Sequence, residues 1–349
     1  MTIVFYISGH GFGHASRSIE VLNALATRRR DARLIVRTSV PAWLFRASAP
    51  PHIELMPLET DVGVAQIDSL NVDEDETVRR AAAFYDSFDR RVEAEAAFLA
   101  GTRATTVVGD IPPLAFAAAA RARVPSVAVA NFTWDWIYSG YDGFGREAAG
   151  VIDTMRAAYS TATRALRLPL HGGFDSMTAV TIDIPFIARR SRREPAETRE
   201  RLGIAGDRPF VLASFSAADL DLPYGHIAEA EQLTILAPER EAPAALTYPD
   251  LVAAADVVIS KPGYGIVSEC VANGTALLYT SRGRFIEYDV FVAEMPRVLR
   301  CRYLAQEDLL AGRWRGAVEA ILAQTPPPER RAVNGAEVAA DAILEVVNE

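Results

Sequence analysis

Two histidines, His10 and His14, lie in a glycine-rich segment at residues 8–17, SGHGFGHASR. The apolar run at residues 3–7 predicts a strand before this segment, and the helical spacing of apolar residues predicts a helix after it. A histidine at the carboxyl end of a strand can accept a proton near neutral pH, which is the chemistry of a general base. The alternative is that both rings only hydrogen-bond the loop.

Asp110 is a candidate partner for His14. It follows an apolar run at residues 106–109 that predicts another strand, and ligand-binding groups of open α/β sheets lie just beyond the carboxyl ends of strands. We therefore expect Asp110 and His14 on one rim, where the carboxylate would orient the imidazole and stabilise its cation. The alternative is that Asp110 caps the helix that begins at Pro112 and Pro113.

Aromatic and polar side chains follow the strand that is predicted at residues 126–129. Residues 131–136, NFTWDW, place Trp134 and Asp135 at the exit of that strand. Aromatic rings beside Asn and Asp suit stacking on a sugar or an acceptor, and they suit packing beneath a loop equally well. Both interpretations stay open at this point.

Residues 261–269, KPGYGIVSE, form a second glycine turn between an apolar run at 257–259 and a predicted helix. Unpaired N–H groups at the start of that helix attract phosphate. Gly263 and Gly265 lack Cβ, so a ligand can approach the backbone closely. Glu269 would repel a phosphate, and we expect it to face another group, such as a ribose diol. The alternative is a turn that exists only for packing.

Length and composition limit the class of protein. A chain of 349 residues predicts two domains, and 50% hydrophobic with 23% charged residues is typical of a soluble globular protein. The net charge of −9 argues against nucleic acid as a partner. Two cysteines give neither a disulfide framework nor metal-ligand spacing, which fits a reducing cytoplasm. We find no signal peptide and no apolar stretch of the ~20 residues that a membrane span needs.

The two glycine turns lie far apart in the chain and predict a cleft between two α/β domains. The expected boundaries are an N-terminal domain at 1–188, a linker at 189–208, a C-terminal domain at 209–330 and a returning helix at 331–349. The arginines at 189–193 indicate a solvated surface, with docking on lipid as a weaker alternative.

A long and mostly polar loop is predicted at residues 57–72, and it contains Asp61. Loops of this length are often functional. The four acids at 73–76 suggest either a metal site or, as we prefer, the start of a helix, where the helix dipole favours negative charge. That helix is predicted to run to about Leu99.

Four motifs together resemble the glycosyltransferase-like N-terminal region of arabinokinases. They lie at 8–17, 108–110, 131–138 and 261–269, in the same order and across nearly the whole chain. The kinase portion of those proteins has no counterpart here, so the resemblance implies no sugar kinase. More distantly, the layout is similar to the GT-B glycosyltransferases, which include the lipid-linked N-acetylglucosaminyl transferase of peptidoglycan synthesis. This implies two Rossmann-like domains facing across a cleft, with the nucleotide sugar on the second.

The resemblance also implies roles for single residues. His14 matches a general base that Asp110 orients. The match to the family's pyrophosphate turn and ribose-binding acid implies that the donor nucleotide is bound by Gly263, Tyr264, Gly265, Ser268 and Glu269. Glu287 and Tyr288 stand where the family holds the donor sugar with an acid and an amide, and Tyr288 departs from that pattern. The acceptor side is assigned to His10, Gly11, Gly13, Arg17, Trp134 and Asp135.

The sequence thus predicts a cytoplasmic, metal-independent, inverting glycosyltransferase without a cofactor. Its partners would be a nucleotide-sugar donor, with UDP as the first choice by resemblance, and a small-molecule or lipid-linked acceptor. Residues 214–218, SFSAA, lack the glycines that the family often has after the second domain's first strand. This departure keeps two alternatives open: a sugar- or nucleotide-binding module without turnover, and a nucleotide-sugar epimerase.

Overall fold

The computed structural model describes residues 1–68, 70–204, 206–215, 220, 222–237 and 245–348. Residues 216–218, where the expected glycines are missing, lie outside the described residues. The chain divides into two compact units. Unit 1 comprises Met1–Ala65, Asp73–Ala188 and Ala332–Glu349, and unit 2 comprises Gln66–Val72 and Arg189–Arg331.

A seven-stranded parallel sheet forms the centre of unit 1, in the order β3-β2-β1-β4-β5-β6-β7. Its strands are β1 Thr2–Ile7, β2 Arg33–Thr38, β3 Glu54–Pro57, β4 Thr106–Asp110, β5 Ser126–Phe132, β6 Arg164–Gly172 and β7 Thr181–Asp183. The middle strands β4 and β5 are buried along their whole length. Continuous apolar runs are typical of parallel strands that helices cover on both faces.

The helices of unit 1 follow the strands in alternation. They are α1 Gly13–Arg28, α2 Ala42–Ser48, α3 Glu74–Asp86, α4 Phe88–Thr102, α5 Pro113–Ala122, α6 Trp134–Ser139, α7 Asp142–Glu147, α8 Ala149–Tyr159 and, at the end of the chain, α16 Gly335–Asn348. The acidic run starts a helix as we expected, because the Asp73 side chain accepts a hydrogen bond from the N–H of Glu76. The single long helix predicted from there is wrong, since the helix breaks at Ser87.

Unit 2 holds a five-stranded parallel sheet in the order β12-β11-β10-β8-β9. Its strands are β8 Phe210–Ala213, β9 Thr234–Leu236, β10 Val257–Ser260, β11 Ala276–Tyr279 and β12 Cys301–Tyr303. Its helices are α9 Pro195–Arg201, α10 Tyr224–Glu231, α11 Tyr248–Ala254, α12 Tyr264–Asn273, α13 Glu287–Val298, α14 Gln306–Leu310 and α15 Arg315–Leu322. Trp314 is fully buried in the core between this sheet and its helices.

A short segment from the first part of the chain, Gln66–Val72, belongs to unit 2. Leu70 of this segment lies in the unit 2 core. Gly283 has a φ of +66°, and a Cβ there would lie 3.3 Å from the carbonyl oxygen of Leu70. The long loop predicted at 57–72 therefore supplies residues to both units.

The helix α16 packs against α1 in unit 1. Arg28 of α1 donates two hydrogen bonds to Asp341, and Arg164 of β6 pairs with Glu345 at 2.8 Å. Ile343 is fully buried on the inner face of α16. Burial of an apolar face supplies most of the stability of such a helix.

Among the described helices, none combines the length and the apolar character that crossing a bilayer requires. Within the same residues there is no cluster of three or more His, Cys, Asp or Glu side chains arranged to hold a metal ion.

Ile343→Ala tests the contribution of α16 to unit 1. Removing a fully buried isoleucine side chain leaves a cavity, and we expect a loss of about 2–5 kcal/mol of unfolding free energy. Urea denaturation followed by circular dichroism measures it. Glu337→Ala on the exposed side of the same helix is the control, with an expected change within about 0.5 kcal/mol. Equal effects of the two variants would contradict the packing of α16.

Candidate functional site

The rim of the unit 1 sheet brings the first glycine loop next to Asp110. The parallel register of β1 and β4 pairs Ile7 with Asp110, and the N–H of Ser8 donates to the Asp110 carbonyl at 2.8 Å. Gly11 has a φ of +69°, which turns the chain into α1. His14 lies in the first turn of α1, so the side chains three and four residues later share its face.

Asp110 is the centre of a buried hydrogen-bond cluster. Its carboxylate accepts from His14 Nδ1 at 2.8 Å and from Ser18 Oγ at 2.9 Å. Arg17 donates to both carboxylate oxygens, at 2.7 and 2.5 Å, and to Asn131 Oδ1 at 2.6 Å. The capping alternative for Asp110 is wrong, because the helix α5 begins after Pro112 without any side-chain cap.

The charges in this cluster keep Asp110 ionised. Burial by itself raises the pKa of Asp110, but the charges and hydrogen bonds of Arg17 and His14 outweigh it and lower the pKa to about 2. Arg17 is 4% exposed and Asp110 is 1% exposed, so solvent screens their attraction little. The sequence assigned Arg17 to the acceptor side, whereas its guanidinium is occupied by Asp110 and Asn131.

The hydrogen-bond network assigns the tautomer of His14. An ionised carboxylate only accepts hydrogen bonds, so Nδ1 of His14 carries the proton that is donated to Asp110. Arg17 Nη2 lies 3.0 Å from the same Nδ1, but a guanidinium has no acceptor lone pair, and both groups donate to one oxygen. Neutral His14 therefore has its lone pair on Nε2, which is the atom that can take a proton.

His10 is held by the loop. Its ring Nδ1 accepts a hydrogen bond from the backbone N–H of Val64 at 3.2 Å, and the backbone N–H of His10 donates to Ser8 Oγ at 3.3 Å. Gly63 has a φ of +58°, and a Cβ there would lie 2.5 Å from the Cβ of His10. The alternative that the ring only hydrogen-bonds the loop thus fits His10. His14 differs, because its ring binds the carboxylate of Asp110.

Trp134 and Asp135 begin α6 and are buried. Trp134 has 0% exposure, and its ring lies 5.4 Å from that of His10 and 6.0 Å from that of His14. Asp135 is 6% exposed and lies 3.4 Å from Arg156. Of the two alternatives for these residues, the buried Trp134 ring fits packing beneath the loop.

Asp61 is a second buried carboxylate beside this loop, and sequence reasoning gave it no role. It is 7% exposed and accepts from Ser8 Oγ and from the indole Nε1 of Trp134, both at 2.9 Å. Burial raises its pKa to about 6, although hydrogen bonds from Ser8, Trp134 and Gly9 and the charge of His14 act in the other direction. The length of the loop was the only signal for it.

The second glycine turn has the predicted strand–turn–helix form. The strand β10 leads into α12, and Gly274 ends the helix with a φ of +73°. A Cβ on Gly263 would meet only Arg282 Nη1, at 3.8 Å. Tyr264 and Ser268 are buried, and Ser268 Oγ donates to the Gly265 carbonyl at 3.0 Å within the helix.

Glu269 is buried in unit 2 with one oxygen engaged. Its Oε1 accepts from Arg189 Nε at 2.6 Å, and its Oε2 has no hydrogen-bond partner among the described residues. Burial raises the pKa of Glu269, while the Arg189 charge acts against that. Arg189 also lies 5.4 Å from the ring centre of Tyr248. A donor group on a ligand would satisfy the second oxygen.

Glu287 and Tyr288 open the helix α13. Glu287 is 3% exposed and lies 3.7 Å from Arg282, which also donates to the Pro262 carbonyl at 3.2 Å. Arg282 thus ties Glu287 to the glycine turn. Burial, with smaller contributions from neighbouring tyrosines, raises the pKa of Tyr288 to about 12, so its hydroxyl stays a neutral donor.

The arginines at 189–193 are only partly a solvated surface. Arg190 and Arg192 are exposed. Arg189 binds Glu269, and Arg193 pairs with Glu197 at 2.9 Å. The expectation of a solvated surface is therefore wrong for Arg189 and Arg193, which are half-buried and paired.

Comparison with known proteins confirms the resemblance and the fold. The chain matches no protein-family model. It is 31% identical to the L-arabinokinase of Arabidopsis thaliana over 368 residues, covering 99% of this chain and 34% of that protein. The chain thus spans about a third of the curated relative that it matches.

Two solved structures show the fold. The calicheamicin glycosyltransferase CalG4 matches with a TM-score of 0.64 at 16% identity, covering 99% of this chain and 98% of that chain. The Phytolacca americana UGT2, complexed with UDP-2-fluoro-glucose and pterostilbene, matches with a TM-score of 0.61 at 12% identity, covering 99% and 94%. The fold is α/β with two parallel sheets, as in GT-B glycosyltransferases.

Asp61→Asn and Asp110→Asn are expected to change stability in opposite directions. Folding raises the pKa of Asp61 from 3.8 to about 6, so its ionisation destabilises the folded chain progressively as pH rises through that window. Asn removes this cost, and we expect a gain on the order of 2 kcal/mol at about pH 8. The gain should vanish below about pH 3, where both states bind the proton.

Asp110→Asn leaves the buried Arg17 without its anion. We expect a loss of about 3–5 kcal/mol near neutral pH. Because the folded pKa is about 2, the stability that the charge contributes is lost only as pH falls from about 3.8 through 2. Thermal unfolding of both variants across pH measures the two effects. Destabilisation of the same sign in both would contradict the assigned environments.

Proposed function

We propose that this protein transfers a sugar from a nucleoside-diphosphate donor to an acceptor hydroxyl. The observation that carries the proposal is the contact of His14 Nδ1 with Asp110 Oδ1 at 2.8 Å, which leaves Nε2 as a proton acceptor at the rim of a parallel sheet. A positioned histidine of this kind contributes about 10²–10⁴-fold to rate as a general base.

The proposed step is a single displacement. The acceptor hydroxyl gives its proton to Nε2 of His14 while its oxygen bonds to the anomeric carbon. The bond from that carbon to the diphosphate breaks, and its electron pair leaves with the diphosphate. Attack opposite to the leaving group inverts the anomeric centre. Unit 1 supplies the base in this proposal, and the donor is assigned to unit 2.

The second glycine turn is the proposed donor site. The positive end of the helix dipole at the start of α12 favours negative charge and would stabilise the departing diphosphate without a metal. The partly satisfied carboxylate of Glu269 is the proposed partner of the ribose hydroxyls, and Glu287 with Tyr288 that of the donor sugar. UDP is the first nucleotide to test, because the Phytolacca enzyme of the same fold is complexed with a UDP-sugar.

The acceptor is proposed to be a small molecule, with a lipid-linked hydroxyl as the second class. Only Arg190 and Arg192 of the arginine run are exposed, which weakens the basis for docking on lipid. The free thiols of Cys270 and Cys301 fit the proposal of a cytoplasmic protein.

A binding module without turnover is the second candidate. The observation in its favour is that Arg17 occupies both oxygens of Asp110, so the Arg17–Asp110 pair is neutral and stabilises an imidazolium less than an isolated carboxylate would. Such a module would bind the nucleotide sugar in unit 2 and would not need His14.

His14→Ala separates the two candidates. For the enzyme, we expect product formation to fall at least ~100-fold, because the base is lost, while nucleotide affinity changes less than ~2-fold. Product formation is measured by chromatography with UDP-sugars and a panel of acceptors, and affinity by calorimetry. His226→Ala in unit 2 is the matched control. Unchanged turnover in His14→Ala would overturn the assigned base, and donor consumption without an acceptor would indicate an epimerase or hydrolase.

Glu269→Gln tests the donor site. A screen of UDP, dTDP, GDP and ADP with their sugar conjugates should give one nucleotide that raises thermal stability, by about 2.7 kcal/mol at a hundredfold excess over Kd. We expect Glu269→Gln to lower the affinity for that nucleotide at least ~10-fold, because a charge-assisted hydrogen bond is lost. Exposed Glu229→Gln is the control in the same unit. Equal affinity in both variants would refute the role of Glu269.

A further inference from the structure

Of the two buried carboxylates near His14, Asp110 and Asp61, Asp110 is paired with the cation of Arg17. Arg17 binds both oxygens of Asp110, so these two side chains together carry no net charge. When His14 takes a proton, the cluster of His14, Arg17 and Asp110 gains one positive charge in a buried site. An uncompensated buried charge is costly. Asp110 fixes the ring and its tautomer, but its charge is already matched.

Asp61 has the opposite balance. Its hydrogen-bond donors are neutral: the Ser8 hydroxyl, the Trp134 indole and the Gly9 N–H. No arginine or lysine of the described residues donates a hydrogen bond to it. When it is ionised, above its pKa of about 6, its negative charge is not matched by any of these donors, and a neighbouring imidazolium would compensate that charge.

Shared contacts place Asp61 close to His14. The Trp134 indole donates to Asp61 at 2.9 Å, and the same ring system lies 6.0 Å from the His14 ring. Ser8 joins both acidic residues, because its hydroxyl donates to the Asp61 carboxylate and its N–H donates to the backbone carbonyl of Asp110. The loop that holds His14 is thus the loop that holds Asp61.

The other titratable groups whose pKa the charge of Asp61 raises carry no positive charge. They come from three further helices: Tyr85 of α3, Tyr138 of α6 and Tyr159 of α8. Burial raises the pKa of each phenol well above its usual value, so all three stay neutral in the physiological range. His14 is the one group among these that can become a cation.

We propose that Asp61 is a positioning residue that supplies the negative charge balancing protonated His14 during the transfer step. The proposal rests on the function proposed above. It assigns the two carboxylates different tasks, since Asp110 orients the imidazole and Asp61 offsets its positive charge. Burying an ion with only neutral partners costs stability, and such a cost is typical of functional sites.

The electrostatic link can be measured without any turnover. We would follow the imidazole nitrogens of the five histidines by ¹⁵N NMR across pH, with His14→Gln to assign the signal. In Asp61→Asn the His14 titration midpoint should fall by about one pH unit, because a nearby negative charge favours the cation. Asp183→Asn, which removes an exposed acid of β7 in the same unit, should leave it unchanged.

Kinetics then test the role in transfer. With the nucleotide and acceptor found above, we expect Asp61→Asn to lower kcat ~10-fold and to change KM for the donor less than ~2-fold. The acidic limb of the kcat/KM profile should move to lower pH. A side chain that only held the loop would lower kcat and leave the pH profile in place. Asp61→Glu, which keeps the charge, should recover part of kcat.

The outcomes separate this inference from the proposed function. An unchanged His14 midpoint in folded Asp61→Asn overturns the role of Asp61, whatever the activity. A shifted midpoint in a protein without transferase activity contradicts the enzyme and leaves the charge coupling established. If Asp61→Asn fails to fold, Ser8→Ala and Trp134→Phe each remove one donor to Asp61. A His14 midpoint unchanged in both would equally overturn the proposal.

Discussion

The bidentate bond between Arg17 and Asp110 is the contact on which the rim of unit 1 depends. It joins the first helix to the end of a central strand, and through Asn131 it reaches the neighbouring strand. Burial without a cation raises the pKa of a carboxylate, as it does for Asp61. Because Arg17 keeps Asp110 ionised, the proton on His14 is directed to Nδ1, and the lone pair on Nε2 is left for chemistry. In the proposed transfer, the atom that accepts the proton is thus set by Arg17, which does not contact that atom.

The same contact makes the two carboxylates near His14 unequal. Asp110 has a cation and a pKa of about 2, whereas Asp61 has neutral donors and a pKa of about 6. Environments that push the pKa values of neighbouring acids apart are the usual means by which a site divides tasks between them. The spacing of residues in the sequence does not reveal this difference in pKa, because the difference depends on which hydrogen-bond donors the fold brings to each carboxylate.

The sequence was informative where chemistry is local. A strand, a glycine turn and a helix are encoded in adjacent residues, so both turns could be predicted. The pairing of His14 with Asp110 could be predicted because the carboxyl ends of neighbouring parallel strands share one rim. The partner of Arg17, the burial of Trp134 and the engagement of Arg189 were not predictable, because each depends on residues far away in the chain. Exposure was overestimated for arginines, whose long side chains often end in buried ion pairs.

Unit 2 also contains a buried acid whose hydrogen-bonding capacity is only partly satisfied. Glu269 has one oxygen bound to Arg189 and one buried oxygen without a partner among the described residues, and burial raises its pKa. An unpaired buried acceptor costs about 1–3 kcal/mol. Asp61 bears a comparable cost as an ion that only neutral groups solvate. Packing alone would favour apolar residues at both positions. In our proposals each cost is offset when a further charge or donor is present: the imidazolium of His14 beside Asp61, and a hydrogen-bond donor of the ligand at Glu269.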